Sequence, residues 1–346
     1  MLPRRAFFGA SVHDADRGVE VSRVWPGSMA ERADARRGDV ILAYGERSIE
    51  RVQDLVAACR EHPGPSVRLV LERDDRERLE RVEYVPFPDE VVPGATVTYD
   101  SRGGVRTILA TPDAGADTLV CLLPGIDYAS VDFALREDHP TARFLAGLCA
   151  RGLATFRVER PGLGDSPGKP CHGWLEEQAV YRESLATLDG FERIVLFGHS
   201  VGGMHAPRLA DLADALIVYG TTSRRWSDCL GESHARQRRL RGLPPQDSDA
   251  WPSERARRFH EQLDAADLRA AWAANDRPTL VLIGEHDWVV SEEEQREIPG
   301  EVVVVAGLDH AFTTHPTLEA SLAGLGRGAP CDELAEACAR WLASHA

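Results

Sequence analysis

The spacing of hydrophobic and polar positions differs between the first 85 residues and the rest of the chain. Between 7 and 84, short segments alternate apolar and polar side chains, as in 18–24 (GVEVSRV), and turn residues separate them. Such segments are typical of half-buried strands. One helical pattern, 52–62 (VQDLVAACREH), places Leu55, Val56 and Cys59 on one face. The first part therefore predicts a small α+β unit.

From residue 95 onward the pattern changes to apolar strands that alternate with helices. An opening hairpin is followed by 118–125 (TLVCLLPG), a nearly continuous apolar run of the kind found in buried parallel strands. Further strands of this kind end near residues 200, 220, 285 and 307, and helical patterns such as 202–213 lie between them. Repeated strand–helix units predict an α/β class, with a doubly wound, mostly parallel sheet and helices on both faces.

These patterns divide the chain of 346 residues into two domains, since one hydrophobic core rarely grows to this size. Residues 1–85 form the first domain, and the Pro-rich, acidic segment 86–94 (PFPDEVVPG) is a linker. Residues 95–346 form the second. Within it, the stretch from about 221 to 277 departs from the alternation and is helical in pieces, which predicts a helical lid inserted after a sheet strand.

Composition excludes several classes of function. Hydrophobic residues make up 43% and charged residues 27%, as in globular proteins. The net charge of -15 argues against a nucleic-acid partner. No apolar run approaches the roughly 20 residues of a membrane span, and the N-terminus lacks the apolar core of a signal peptide. Seven scattered cysteines without a CxxC pair suggest neither disulfides nor zinc. We therefore expect a cytoplasmic protein without membrane contact, metal or cofactor.

A candidate nucleophile lies in the motif Gly198-His199-Ser200-Val201-Gly202, between an apolar strand and a helix. The G-x-S-x-G spacing has a physical cause, because a serine on so sharp a turn needs small neighbours that avoid a backbone clash. Its hydroxyl is then exposed beside a helix N-terminus, where developing negative charge is favoured. The pattern predicts that Ser200 is a nucleophile.

A serine nucleophile needs a histidine to take its proton and an acid to orient that histidine. Asp287 follows the strand that ends at 284, and His310 follows the next strand. Ligands bind at the carboxyl ends of strands in open α/β sheets, so Ser200, Asp287 and His310 should lie together. Competing candidates are the flanking Glu285, His286 and Asp309, and Asp228 in the lid.

On these motifs, residues 95–346 resemble the α/β-hydrolase family, whose members carry their serine, acid and histidine in this order. The resemblance implies an oxyanion hole formed by the N–H groups of Val201 and of the residue after a His-Gly pair. Here Pro124 and Gly125 replace that pair, so Ile126 becomes the second donor. Tyr128 either adds a hydroxyl donor or packs within the loop. His199 and His205 are expected to be structural.

Residues 18–49 resemble the middle of a bacterial-type PDZ domain, with a Gly-Asp pair before the strand VILAYG. The resemblance implies a loop that offers N–H groups to the C-terminal carboxylate of a peptide, which adds a strand beside it. Phe7, Phe8, Gly9 and Ala10 match that loop. The helix from Val52 would form the other wall. Alternatively, Phe7, Phe8 and Gly9 belong to an apolar first strand, or the PDZ-like module only packs on the hydrolase.

Together these motifs predict a serine hydrolase that cleaves an ester, thioester or amide of a small molecule or peptide through an acyl-enzyme on Ser200. A PDZ-guided peptidase or peptide-tailoring esterase, an acyltransferase and an inactive binding scaffold are the alternatives. From 224 to 241 there are six arginines and two acids. They indicate either an anionic substrate or a solvated helix face.

Overall fold

The computed structural model describes residues 2–61, 64–246 and 255–345. The chain divides into two compact units, residues 1–89 and 90–346, each with a hydrophobic core of its own.

The division falls within the segment 86–94 that the sequence suggests as a linker. Pro86 forms an antiparallel bridge with Ala6 in the first unit. Glu90 forms an ion pair of 2.7 Å with Arg157 in the second, and both side chains are buried. Each end of the segment is thus attached to its own unit.

The first unit is an antiparallel sheet with two helices. The strands are β1 (Ala10–Asp14), β2 (Val19–Val24), β3 (Val40–Tyr44), β4 (Arg47–Ser48), β5 (Ser66–Arg73) and β6 (Arg76–Glu83). The helices are α1 (Met29–Arg32) and α2 (Val52–Arg60). The sheet order is β1-β2-β3-β5-β6, with β4 beside β3, so β1 lies at an edge. The helix predicted over 52–62 ends at Arg60, and residue 62 lies outside the described residues.

The second unit is built on a mostly parallel sheet. Its strands are β7 (Ala95–Arg102), β8 (Val105–Pro112), β9 (Thr118–Leu123), β10 (Ala154–Val158), β11 (Arg193–His199), β12 (Ala215–Tyr219), β13 (Thr279–Gly284), β14 (Glu301–Val305), β15 (Thr313–Thr314) and β16 (Ala329–Pro330). The main sheet has the order β14-β13-β12-β11-β9-β10-β8-β7. The strands from β14 to β10 are parallel, while β7 and β8 form an antiparallel hairpin and β8 runs antiparallel to β10.

Helices cover both faces of this sheet. They are α3 (Pro140–Cys149), α4 (Trp174–Leu185), α5 (Val201–His205), α6 (Trp226–Leu240), α7 (Arg257–Asp264), α8 (Leu268–Ala273), α9 (Glu292–Gln295), α10 (Leu318–Gly324) and α11 (Glu333–Ser344). In β9, Val120 and Leu122 enter the core beneath α3 and α11, whereas Leu119, Cys121 and Leu123 enter the core on the opposite face. Burial on both faces explains why the strand is apolar throughout.

The helix predicted over 202–213 is wrong in its length. The α-helix ends at His205, and the chain continues in two 3₁₀ turns, Ala206–Arg208 and Ala210–Leu212. Pro207 explains the break, because proline lacks the N–H that the next helical turn requires.

The predicted lid, 221–277, supplies α6, α7 and α8 between β12 and β13, while residues 247–254 lie outside the described residues. Trp226 and Phe259 pack over the turn after β11, whereas Trp272 belongs to the core beneath the sheet. None of the described helices is long and apolar enough to cross a membrane.

Candidate active site

Ser200 occupies the sharp turn between β11 and α5. Its backbone has φ 54° and ψ -122°, a strained conformation for a residue with a side chain. The flanking glycines make the turn feasible: a Cβ on Gly202 would lie 1.9 Å from the Leu123 carbonyl oxygen, and one on Gly198 would lie 2.6 Å from the Gly203 Cα. The sequence motif is therefore a steric requirement of this turn.

Asp287 and His310 form a hydrogen-bonded pair on the loops after β13 and β14. The His310 Nδ1 donates to the Asp287 carboxylate, at 2.9 Å from Oδ2 and 3.1 Å from Oδ1. The carboxylate also accepts the N–H groups of Val289 and Val290 at 2.8 and 3.0 Å. These bonds hold the proton on Nδ1, so that Nε2 of the neutral ring carries none.

The residue pair Tyr219–Gly220 joins the serine turn to the Asp–His pair. The Ser200 N–H donates to the Tyr219 carbonyl at 2.9 Å. A Cβ on the next residue, Gly220, would lie 2.8 Å from His310 Nδ1 and 3.1 Å from Asp287 Oδ2. The three predicted residues therefore share one edge of the sheet. Within the described chain, the Ser200 hydroxyl makes no hydrogen bond to His310, and such bonds often tighten only around a substrate.

His310 has a raised pKa despite its buried surroundings. Burial lowers the pKa, but the charge of Asp287 and its hydrogen bond outweigh burial, and the charges of Asp309 and Asp127 act in the same direction. Asp287 thus stabilises the protonated form of the His310 ring.

The competing acids have other partners. Asp309 is buried and accepts the hydroxyl of Thr313 at 2.7 Å and the ring of His315 at 3.1 Å. Glu285 accepts the Gly307 N–H at 2.7 Å. Asp228 is exposed on α6. These carboxylates brace loops or face solvent, whereas among these candidates only the Asp287 carboxylate accepts a hydrogen bond from the His310 ring.

His199 contributes to the placement of His310, although the sequence suggested only a structural role. Its Nε2 donates to the His310 carbonyl at 2.8 Å, and its ring centroid lies 5.0 Å from that of His310. Burial, with a smaller effect from His310, lowers the pKa of His199 to about 3, so its ring is neutral. The end of β11 is thereby attached to the histidine loop.

The two candidate oxyanion donors lie on neighbouring elements. Val201 is the first residue of α5, where backbone N–H groups have no partner within the helix. Ile126 packs in the same apolar cluster as Val201, and a Cβ on Gly125 would lie 3.4 Å from the Ser200 Cβ. The loop that carries Ile126 thus borders the serine. Tyr128 donates its hydroxyl to the Pro161 carbonyl and accepts the Cys171 N–H, so it packs within the loop.

Comparison with protein families identifies the larger unit. Residues 119–341 match the model of the alpha/beta hydrolase family, well over half of the 346 residues. The chain belongs to the alpha/beta hydrolase family. Residues 20–73 match the model of the PDZ domain. No curated protein matches the sequence at a significant level.

Solved structures similar to this hydrolase include two esterases. Est1E from Butyrivibrio proteoclasticus, bound to ferulic acid, is 21% identical, covers 66% of this chain and 96% of its own, and has a TM-score of 0.46. The Pyrococcus furiosus esterase Pf2001 is 16% identical, covers 72% and 92%, and has a TM-score of 0.47. A thioesterase domain from the curacin biosynthetic pathway is 14% identical, covers 67% and 98%, and has a TM-score of 0.43.

An apolar cluster from the lid covers the sharp turn at Ser200, called the elbow from here on. Trp226 of α6 and Phe259 and Leu263 of α7 are buried against Val201 and Met204 of α5. The Trp226 Nε1 donates to His260 at 3.0 Å, so its indole N–H is satisfied. The first residues after Ser200 are therefore covered by apolar side chains of the lid.

The lid arginines that suggested an anionic substrate are partly neutralised by the chain itself. Arg224 pairs with Glu232 and Glu297, and Arg225 pairs with Asp264 at 2.6 Å. Arg236 forms an ion pair with the buried Glu294. These contacts favour a role in holding the lid.

In the PDZ unit, Phe7, Phe8 and Gly9 form a loop that precedes the edge strand β1, which begins at Ala10. Gly9 has φ +66°, and a Cβ there would lie 2.2 Å from the Ser28 Cβ. The N–H groups of Phe8 and Gly9 have no acceptor among the described residues. The loop is thus separate from the strand, contrary to the alternative of an apolar first strand.

Two hydrogen bonds tie the residue before this loop and the end of β1 to α2. The Ala6 N–H donates to the Cys59 carbonyl at 2.8 Å, and the Asp14 carboxylate accepts the Val52 N–H at 2.7 Å. Leu55, expected at the groove wall, is buried in the core. Val56, by contrast, is 44% exposed, so α2 has an apolar side chain that faces solvent.

Proposed function

We propose that this hydrolase is a serine enzyme that cleaves an ester, thioester or amide through an acyl-enzyme on Ser200. The observation that carries the proposal is the Asp287–His310 pair, with Nδ1 and Oδ2 2.9 Å apart, beside a serine in the strained elbow. A strained serine, an oriented histidine and a buried acid at one sheet edge are the parts that acyl transfer requires.

In this mechanism, His310 Nε2 takes the proton of the Ser200 hydroxyl while the Ser200 oxygen attacks the acyl carbon. Asp287 stabilises the resulting imidazolium. The N–H groups of Val201 and Ile126 donate to the oxygen of the tetrahedral intermediate. His310 then gives the proton to the leaving group, and water repeats the sequence on the acyl-enzyme. Another acceptor in place of water would give acyl transfer.

Labelling with a fluorophosphonate probe tests the nucleophile. Wild-type protein should be labelled and should hydrolyse p-nitrophenyl esters, and Ser200→Ala should lose both while it keeps its melting temperature. A folded wild type without labelling would refute the proposal and favour an inactive scaffold. A screen of p-nitrophenyl esters, acyl thioesters and peptide amides then assigns the acyl class.

The PDZ unit suggests a second role, binding of a polypeptide C-terminus. The N–H groups of Phe8 and Gly9, the edge strand β1 and the exposed Val56 support it, since a peptide can add a strand to β1 with its carboxylate at the loop. Such binding would favour a PDZ-guided peptidase or peptide-tailoring esterase, because tethering raises the local concentration of a linked acyl bond.

Fluorescence polarisation with a labelled hexapeptide ending in three valines tests this role. The free acid should bind more tightly than the C-terminal amide, and Val56→Asp should weaken binding of the acid. Gln53→Asp, also exposed on α2, is the matched control. Equal affinity for acid and amide would argue against a carboxylate-binding loop.

A further inference from the structure

Arg160, the second residue after β10, is buried beside the candidate oxyanion loop. Its side chain is 1% exposed, and all three guanidinium nitrogens have partners. Nη2 donates to the Gly125 carbonyl at 2.9 Å, and Nη1 donates to the Asp127 carbonyl. One side chain thus holds the carbonyls on both sides of Ile126.

The hydrogen bond from Arg160 to the Gly125 carbonyl fixes the direction of the Ile126 N–H. The Gly125 carbonyl and the Ile126 N–H belong to the same peptide group, which is trans and planar. In such a group the C=O and N–H bonds point in opposite directions. Because the guanidinium of Arg160 holds the Gly125 oxygen, it turns the Ile126 N–H away from itself. A charged donor on the carbonyl also polarises the peptide, which strengthens its N–H as a donor.

Arg160 is in turn held from the opposite side. Its Nε lies 3.1 Å from Glu177 Oε1 and donates to the Tyr181 hydroxyl at 3.0 Å. The Tyr181 hydroxyl donates to the same carboxylate at 3.0 Å. Glu177 is 1% exposed, and Arg255 of the lid pairs with its other oxygen. Since these partners lie on α4 and near α7, the oxyanion loop is supported by buried elements.

We propose that Arg160 is a positioning residue that sets the oxyanion hole of this hydrolase by orienting the Ile126 N–H. The inference rests on the proposed function. It offers a reason why the loop could serve without the His-Gly pair that the family resemblance implies, since a side chain from the turn after β10 supplies the support. Lysine is a poor substitute, because only a planar fork reaches both carbonyls and the carboxylate together.

Arg160→Met tests the proposal in the full-length protein, with a p-nitrophenyl ester as substrate. A misdirected oxyanion donor should lower kcat by about 10- to 100-fold, with KM almost unchanged. Affinity for an alkyl trifluoromethyl ketone, whose serine adduct carries the same oxyanion, should fall by the same factor as kcat/KM. Arg160→Lys keeps the charge opposite Glu177 and should lose less, and it serves as the test if the methionine variant does not fold.

Arg157→Met is the matched control. Arg157 is also buried, pairs with Glu90 and donates to the Val131 carbonyl at 2.7 Å, away from the serine. It should lose thermal stability while it keeps the wild-type kcat. The role of Arg160 is overturned if Arg160→Met keeps kcat, or if Arg157→Met loses as much. A wild type that fails fluorophosphonate labelling refutes the proposed function instead, so the two failures are distinguishable.

Discussion

At the scale of single residues, the charge on Asp287 should influence the pH at which His310 acts as a base in the proposed mechanism. Burial lowers the pKa of His310, but Asp287 raises it above the ordinary value of 6.5. The same shift stabilises the fold: this contribution is complete below pH 6.5 and is lost as pH rises through the folded pKa. Activity has the opposite dependence, because the base must be neutral.

We therefore expect kcat/KM to rise with pH through a pKa above 6.5. In Asp287→Asn the ion pair is lost while burial remains, so this acidic limb should move to lower pH. Activity on the plateau should fall by about 10³- to 10⁴-fold, because the wrong tautomer is favoured. Measurement of kcat/KM between about pH 5 and 9 checks both. An unmoved limb would mean that another group titrates.

Gly202 offers a second test at this scale, because its hydrogen faces the backbone of β9. Gly202→Ala places a Cβ 1.9 Å from the Leu123 carbonyl oxygen. Because that oxygen belongs to the backbone of a central strand, it cannot move aside without disturbing the sheet. We expect a loss of about 3 kcal/mol or more in the free energy of unfolding, together with loss of activity.

The control for this variant is Gly231→Ala in α6, where an added Cβ meets nothing within 4 Å. It should be stabilised by about 0.5–1 kcal/mol, because alanine loses less backbone entropy in a helix. Urea denaturation of both variants compares them. Equal stability of the two would contradict the steric account of the elbow.

At the scale of elements, the sequence predicts those features that depend on the local spacing of apolar residues, namely the strands and the residues that directly follow them. That Asp287 and His310 lie together could be predicted because each follows an apolar strand and the carboxyl ends of parallel strands meet at one edge of the sheet. That Arg160 and Glu177 pair could not, since they lie 17 positions apart on different elements and meet only through packing. The predicted helix over 202–213 was too long, because its apolar spacing continues past Pro207, where the α-helix cannot.

Two histidines on neighbouring elements should respond differently to the same substitution. His199 donates to the His310 carbonyl, so His199→Phe should loosen the histidine loop and lower kcat by about 10-fold, as expected when a base is misplaced. His205 is buried, stacks on Trp174, and has no hydrogen bond at either ring nitrogen among the described residues.

His205→Phe should therefore keep its activity, and its melting temperature should stay equal or rise, because removing unsatisfied polar atoms from a buried ring is neutral or stabilising. Thermal melts and ester hydrolysis distinguish the two variants. A similar loss of kcat in both variants would contradict the prediction, because it would show that the hydrogen bond from His199 to the His310 carbonyl has no special effect on activity.

At the scale of the whole molecule, the two units have separate cores, so damage to the PDZ unit should spare the chemistry. Gly9→Ala forces a Cβ to 2.2 Å from the Ser28 Cβ and should disrupt the loop before β1. Hydrolysis of a p-nitrophenyl ester should stay within about twofold of wild type, as expected for sites without shared partners. If tethering operates, kcat/KM on an ester linked to a peptide with a free C-terminus should fall.

Gly27→Ala separates the clash from the effect of backbone conformation. Gly27 also has a positive φ, +75°, but an added Cβ there meets nothing within 4 Å. Because it shares the strain without the clash, this variant should keep most of its activity on the peptide-linked ester. If Gly9→Ala slows both substrates equally, the PDZ unit supports the hydrolase fold and does not deliver substrate. If it slows neither, the loop before β1 has no part in substrate capture.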